Sequence, residues 1–102
     1  MKRVIDGRIY DTDKAILIGE YSHLSPTDFN FFFAGLYQTA RSKRFFLAGK
    51  GGPMTAFGRH CSDGSWTFGE KIIPLTDQDA REWAEKYVKY EDAKKYFTIE
   101  EA

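Results

Sequence analysis

The sharpest periodicity lies near the end of the chain, where Ala80, Trp83, Ala84, Tyr87 and Val88 recur at three- and four-residue spacing. That spacing lines one face of an α-helix. Thr76 is placed to cap it, and Asp77 and Asp79 fall in the first turn, where the helix dipole favours carboxylates. The pattern predicts a helix over 77–89. Apolar positions continue at Tyr90, Ala93 and Phe97, so the helix either runs on toward 97 or breaks near Glu91.

The rest of the chain reads as extended. "RVIDGRIYDT" places Asp6-Gly7 between two short apolar arms, Val4–Ile5 and Ile9–Tyr10. Asp-Gly between apolar arms is a hairpin signal, because both turn positions take positive φ. "AILIGEYSH" predicts a strand from Ala15 to about Ser22. "SPTDF" has the form of a helix start, with Ser25 as cap, Pro26 at the first helical position and Asp28 reaching back in a capping box. The four Phe, the Gly and the Thr that follow are poor helix material. The preferred reading is one turn at 25–28 and a strand over 29–39, with a helix over 26–39 as the alternative. Gly35 inside this strand signals a bulge or a close backbone approach. "ARSK" turns the chain into the return strand 44–49. Residues 49–65 are glycine-rich and aperiodic, and predict one long irregular loop. "WTFGEKIIPLT" resumes extended structure, and Pro74 confines it to a sheet edge or a strand end.

Together these elements predict an α+β fold in a single domain, residues 1–102. Its antiparallel sheet has about four or five strands, from hairpins over 3–10/15–22 and 29–39/44–49 and an edge strand 66–74. Helix 77–89 packs on one face. The 102-residue length suits one domain and one modest core. Hydrophobic residues make up 42% and aromatic residues 17%, with nine Phe. "FNFFF" places aromatic rings on both faces of its strand, Phe31 and Phe33 on one and Phe32 on the other. The helix covers only one face. The other needs the 49–65 loop, a second subunit or a foreign partner. A glycine-rich loop supplies little apolar area, so the expectation is a protein partner or a homodimer, with self-association slightly favoured. Phe31, Phe32, Phe33 and Tyr37 are the candidate contacts.

Fifteen basic and fifteen acidic residues give a formal charge of zero. Generic nucleic-acid and membrane binders carry a basic excess, so any such role rests on a local patch. The candidate patch is the "RSKRFF" turn, where Arg41, Lys43 and Arg44 lie beside Phe46 and suit a single strand by charge and stacking. The single Cys61 excludes an intramolecular disulfide and fits a reducing cytoplasm. The N-terminus lacks the apolar core of a signal peptide, and no apolar run approaches the ~18 residues of a membrane span.

Two stretches invite a catalytic reading. "GKGGPMT" has its lysine before the second glycine and Pro53 where a phosphate-binding helix would begin, so it fails the nucleotide-loop templates. Its residues Lys50, Gly51, Gly52, Pro53 and Met54 remain a candidate functional loop, read as needing positive φ at several positions. "GRHCSDGS" brings Arg59, His60, Cys61, Ser62 and Asp63 together in sequence. It lacks the ligand count of a zinc site, and the Cys–His partners of a thiol nucleophile meet in space and seldom sit adjacent in sequence. No catalytic residue, cofactor or metal site is expected, and a pocket joining His60, Cys61 and Asp63 to His23 would reopen the question.

"VIDGRIYDTDKA", "LYQT" with "RFFLAGKGGPMT", and "IIPLTDQDAREWAEK" resemble motifs of small uncharacterised accessory proteins encoded on phages, plasmids and conjugative elements of Firmicutes. The resemblance covers most of the chain in motif order. It implies a mobile-element accessory protein, of a kind that often acts by binding host or element macromolecules. Anti-CRISPR proteins are one class of that kind, by analogy of size and setting. The non-enzymatic expectation comes from the lack of a convergent acid, base and nucleophile set. The alternative function is a nucleic-acid-binding accessory protein using the 41–46 turn.

Overall fold

The computed structural model describes residues 1–25 and 27–102. The expected first helical position, Pro26, lies outside them. Among the described residues, eight strands and two helices follow in order: β1 (Lys2–Ile5), β2 (Arg8–Asp11), β3 (Ile16–His23), β4 (Phe32–Gln38), β5 (Phe45–Gly51), β6 (Arg59–His60), β7 (Trp66–Thr67), β8 (Gly69–Leu75), α1 (Asp77–Tyr87) and α2 (Tyr90–Ala93). The α+β reading holds. The main sheet is antiparallel with order β3-β4-β5-β8, and β1–β2 and β6–β7 are separate two-stranded ribbons.

Asp6 and Gly7 take φ of 51° and 76°, the turn their pairing requires. β1–β2 does not join the main sheet. It lies across the sheet's second face, where Tyr10 packs with Phe46, Ala48 and Ile72, and Met1, Ile5, Ala15 and Tyr37 close around them. Tyr10 meets Phe46 edge-on at 5.4 Å, and Tyr37 stacks on Phe46 at 5.3 Å. The chain's own first hairpin therefore covers much of the sheet face opposite the helix, in place of a second subunit. What remains open on that face is Leu17 and Phe33, among the exposed Glu20, Ser22, Lys50 and Glu70. Burial lifts the Tyr37 phenol above its ordinary value, and the carboxylates of Glu20 and Asp13 add to the effect.

The helix-side core joins Ile18, Ala34, Leu36, Phe45, Leu47 and Phe57 to Ala80, Ala84, Ala93 and Phe97. Thr76 caps α1 by accepting the Asp79 N–H at 3.1 Å. The helix ends at Tyr87 rather than at 89, and it does not run on to 97. Val88 is extended (φ −100°, ψ 138°), and its N–H still bonds the Ala84 carbonyl. Val88 packs where Gly19 of β3 has no side chain. After this break α2 and the following residues bring Phe97 onto Phe45, ring to ring at 5.1 Å. Arg81 locks the return by donating to the Thr98 carbonyl at 2.8 Å.

Of the alternative helix over 26–39, the described residues 27–39 form no helix. The Asp28 N–H donates to the Ser25 carbonyl at 2.9 Å. Asp28 does not reach back as a capping box would. Its carboxylate accepts from the Asn30 N–H ahead of it, at 2.8 Å. The strand begins at Phe32, three residues later than expected. The bulge lies in β3, at Ile18, where the register with β4 shifts. Gly35 is a close approach instead, with Leu17 and Tyr37 side chains over it. β8 is an edge strand, as Pro74 requires.

The 49–65 stretch is not one irregular loop. Strand β5 continues through Gly51, a short loop spans 52–58, and β6–β7 makes a hairpin. Only Gly7 and Gly64 take positive φ among the described glycines. Gly49, Gly51, Gly52 and Gly69 are required for a different reason: a Cβ on any of them would meet neighbouring backbone.

Candidate functional site

The packing of α1 leaves an open groove at the surface. Its fully buried positions, Ala80 and Ala84, are small, so the helix sits close on the sheet. Trp83 and Tyr87 do not fit beneath it. They project sideways, half-buried and 4.9 Å apart, into the space between α1 and the 52–58 loop.

That loop forms the opposite wall. The Gly52 N–H donates to the Phe31 carbonyl at 2.8 Å and the Met54 N–H to the Phe29 carbonyl at 3.1 Å. Thr55 closes it, donating its hydroxyl to the Gly52 carbonyl and accepting from the Phe57 N–H. Gly52 allows the close pass, since a Cβ there would press on the Phe29 backbone. Phe57 turns inward to the core, and Met54 stays exposed at the lip.

Between the walls runs an open groove of about 920 Å³. Phe32, Leu47, Phe57 and Leu75 contribute its apolar lining, with Trp83 and Tyr87 on the helix side. Phe32 is the hub. Its ring lies 5.5 Å from His23, 5.7 Å from Tyr87, 5.9 Å from Tyr21 and 6.3 Å from Phe57. Leu24, with a positive φ of 66°, stands exposed at one end, as does Asn30. The helix rim carries Asp79, Glu82 and Glu85 against a single Lys86.

The expected contact residues do not form one patch. Phe32 lines the groove. Phe31 is buried by its own chain and offers little surface. Phe33 lies on the second face, and Tyr37 is stacked there under the N-terminal hairpin. Of the candidate loop, Met54 lines the groove, whereas Lys50 and Gly51 belong to β5. The loop's Gly52, Met54, Thr55, Phe57 and Gly58 N–H groups are spent on internal acceptors, which leaves little to hold a phosphate.

Residues 59–67 form a hairpin in which Asp63 accepts from the Ser65 N–H and hydroxyl. The Ser65 hydroxyl, with the Ser65 N–H, holds the Asp63 carboxyl below its usual range. His60 packs on Trp66, while His23 lines the groove, so the structure does not join the two histidines in one pocket.

Arg41, Lys43 and Arg44 are exposed on the β4–β5 turn, which Thr39 fixes by accepting the Arg44 N–H. Phe46 is fully buried under Tyr10 and Tyr37 and cannot stack on a base. Arg8 of the first hairpin and Lys14 just after it add cations instead. Arg8 and Arg44 line one shallow recess, and Lys14 and Arg41 line another together with Asp11.

Trp83 and Tyr87 were legible only as core residues. The signal that they stand aside is the pair of alanines at 80 and 84, which leaves a large neighbour no room below the helix. No family model matches the chain, and no curated protein or solved structure is significantly similar to it. Among the described residues no helix is long and apolar enough to cross a membrane.

Proposed function

We propose that this chain is a non-enzymatic binding protein whose groove takes a segment of a partner protein. The observation that carries the reading is the aromatic groove itself. It is open along one side, its apolar lining is ready-made, and Leu24 and Met54 stand exposed at its edges. Exposed apolar surface rimmed by polar groups marks an interaction site. Aromatic side chains held by a rigid framework are the usual anchors of such sites. The mobile-element setting, with counter-defence as one role within it, rests on the motif resemblance alone.

Selection from a random peptide library tests the reading. Enriched peptides should lose roughly 30-fold or more in affinity against Trp83→Ala, the usual loss at an aromatic hot spot. Trp83 is half-buried, so the same change should cost only about 1–2 kcal/mol of stability. Peptides that bind Trp83→Ala as well as the parent chain would place binding elsewhere.

A second reading keeps one observation of its own: Arg8 and Lys14 gather beside Arg41 and Arg44. Phosphate contacts there would bind single-stranded DNA with a steep salt dependence. Serine at Arg41, Lys43 and Arg44 together should abolish it. No binding by the parent chain at about 50 mM salt removes this reading.

A further inference from the structure

We infer that the groove selects an apolar segment carrying lysine or arginine, supplied by a foreign protein. The inference rests on the groove being a protein-binding site and adds the chemistry of its occupant. Among the described residues, Asp79, Glu82 and Glu85 line the groove on the helix side with the single ammonium of Lys86, and Glu85 also borders the neighbouring recess that Arg81 lines. His23 sits among rings, stacked with Tyr21 and Phe32. The lining is thus apolar in its depth and acidic along one rim. A segment whose apolar side chains enter between Trp83 and Met54 would carry its own polar groups along the Asp79–Glu85 edge. Cations there meet three carboxylates, whereas acidic groups meet like charge, and like-charge juxtaposition suppresses a wrong partner more strongly than attraction improves a right one.

The chain itself offers such a segment in its first hairpin. The first hairpin exposes Val4 and Ile9, 70% and 61% accessible, beside Lys2, Arg3 and Arg8. Seated in the groove of another copy, it would make a head-to-tail contact. Contacts of that kind close only into rings and otherwise run on into filaments. A foreign segment satisfies the same groove without that requirement.

The test uses the full chain and three short synthetic peptides. They share leucine and tryptophan positions and differ only in carrying lysine, glutamine or glutamate between them. Each exposed ion pair contributes roughly two- to fivefold, so at about 50 mM salt the lysine peptide should bind roughly tenfold tighter than the glutamine peptide, and the glutamate peptide most weakly. Glu82→Lys with Glu85→Lys should invert that order. Circular dichroism of the variant shows whether α1 is intact. Glu82→Gln with Glu85→Gln, which keeps the side-chain shape, should at least flatten the order. Equal binding of all three peptides, still lost with Trp83→Ala, overturns the charge selection and leaves the groove as a binding site. Binding of none of them, or binding indifferent to Trp83→Ala, overturns both. Sedimentation showing self-association that Val4→Ser with Ile9→Ser removes would give the groove to a second copy and overturn the foreign occupant.

Discussion

Phe46→Ala is expected to lower stability by about 3–5 kcal/mol, the range for a large aromatic removed from a core. Phe46 is fully buried, at 0% exposure. It stands on β5, with Tyr10 edge-on and Tyr37 stacked face-on. Those two rings come from different elements, and each is held by its own strand. Neither can move far to fill the space an alanine would leave. The loss falls on a chain of a size whose whole stability is on the order of 5–15 kcal/mol. Urea denaturation measures it. A loss below about 1 kcal/mol would mean that the hairpin does not rest on this face.

Gly49→Ala is expected to cost about 3 kcal/mol, at the upper end for overpacking. Gly49 pairs with Ala34 across β4–β5. An added Cβ would strike the Phe33 carbonyl oxygen and come within 2.8 Å of the Ala34 Cα. The obstacle is backbone in the middle of the sheet, which has no rotamer to change. Gly64→Ala provides the contrast. Gly64 has φ of 90° and open space around it, so the same methyl meets only backbone strain of about 1 kcal/mol. Denaturation midpoints of the two variants should separate clearly. Equal losses would deny that close approach is what Gly49 provides.

These glycines show where the sequence stops being readable. Glycine signals both positive φ and close approach, and the residue alone does not say which. Asp6-Gly7 was legible because the pair names its own turn. Gly49 and Gly52 were not, because the strand or segment that passes over them is distant in sequence. Helix α1 was legible from spacing and from Thr76, but its end was not. Val88 leaves the helix with no glycine or proline to announce it, and tertiary packing against Gly19 decides the point. The run Phe31–Phe33 predicted two buried faces, and Phe32 and Phe33 do point opposite ways. The agent that covers the second face was missed, since pairing within β1–β2 says nothing about where the hairpin folds back. The same limit hid the groove. Its walls come from His23, Leu24, Asn30 and Phe32, from the 52–58 loop and from helix α1, and only their juxtaposition makes the aromatic lining a site.

The sheet carries its two cores back to back, one under the helices and one under the first hairpin. Segments from opposite ends of the sequence seal them, and the four central strands stand between. Such a molecule has two separate routes for partial opening. Lifting residues 1–15 bares Phe46 and Ile72 but leaves Phe45, Leu47 and the helical layer in place. Loss of the helical layer instead bares the groove floor and leaves the hairpin seated. Backbone amides of the two layers are therefore governed by different local unfolding free energies. A partner held in the groove would slow exchange in the helical layer and leave the hairpin's amides to open at their own rate.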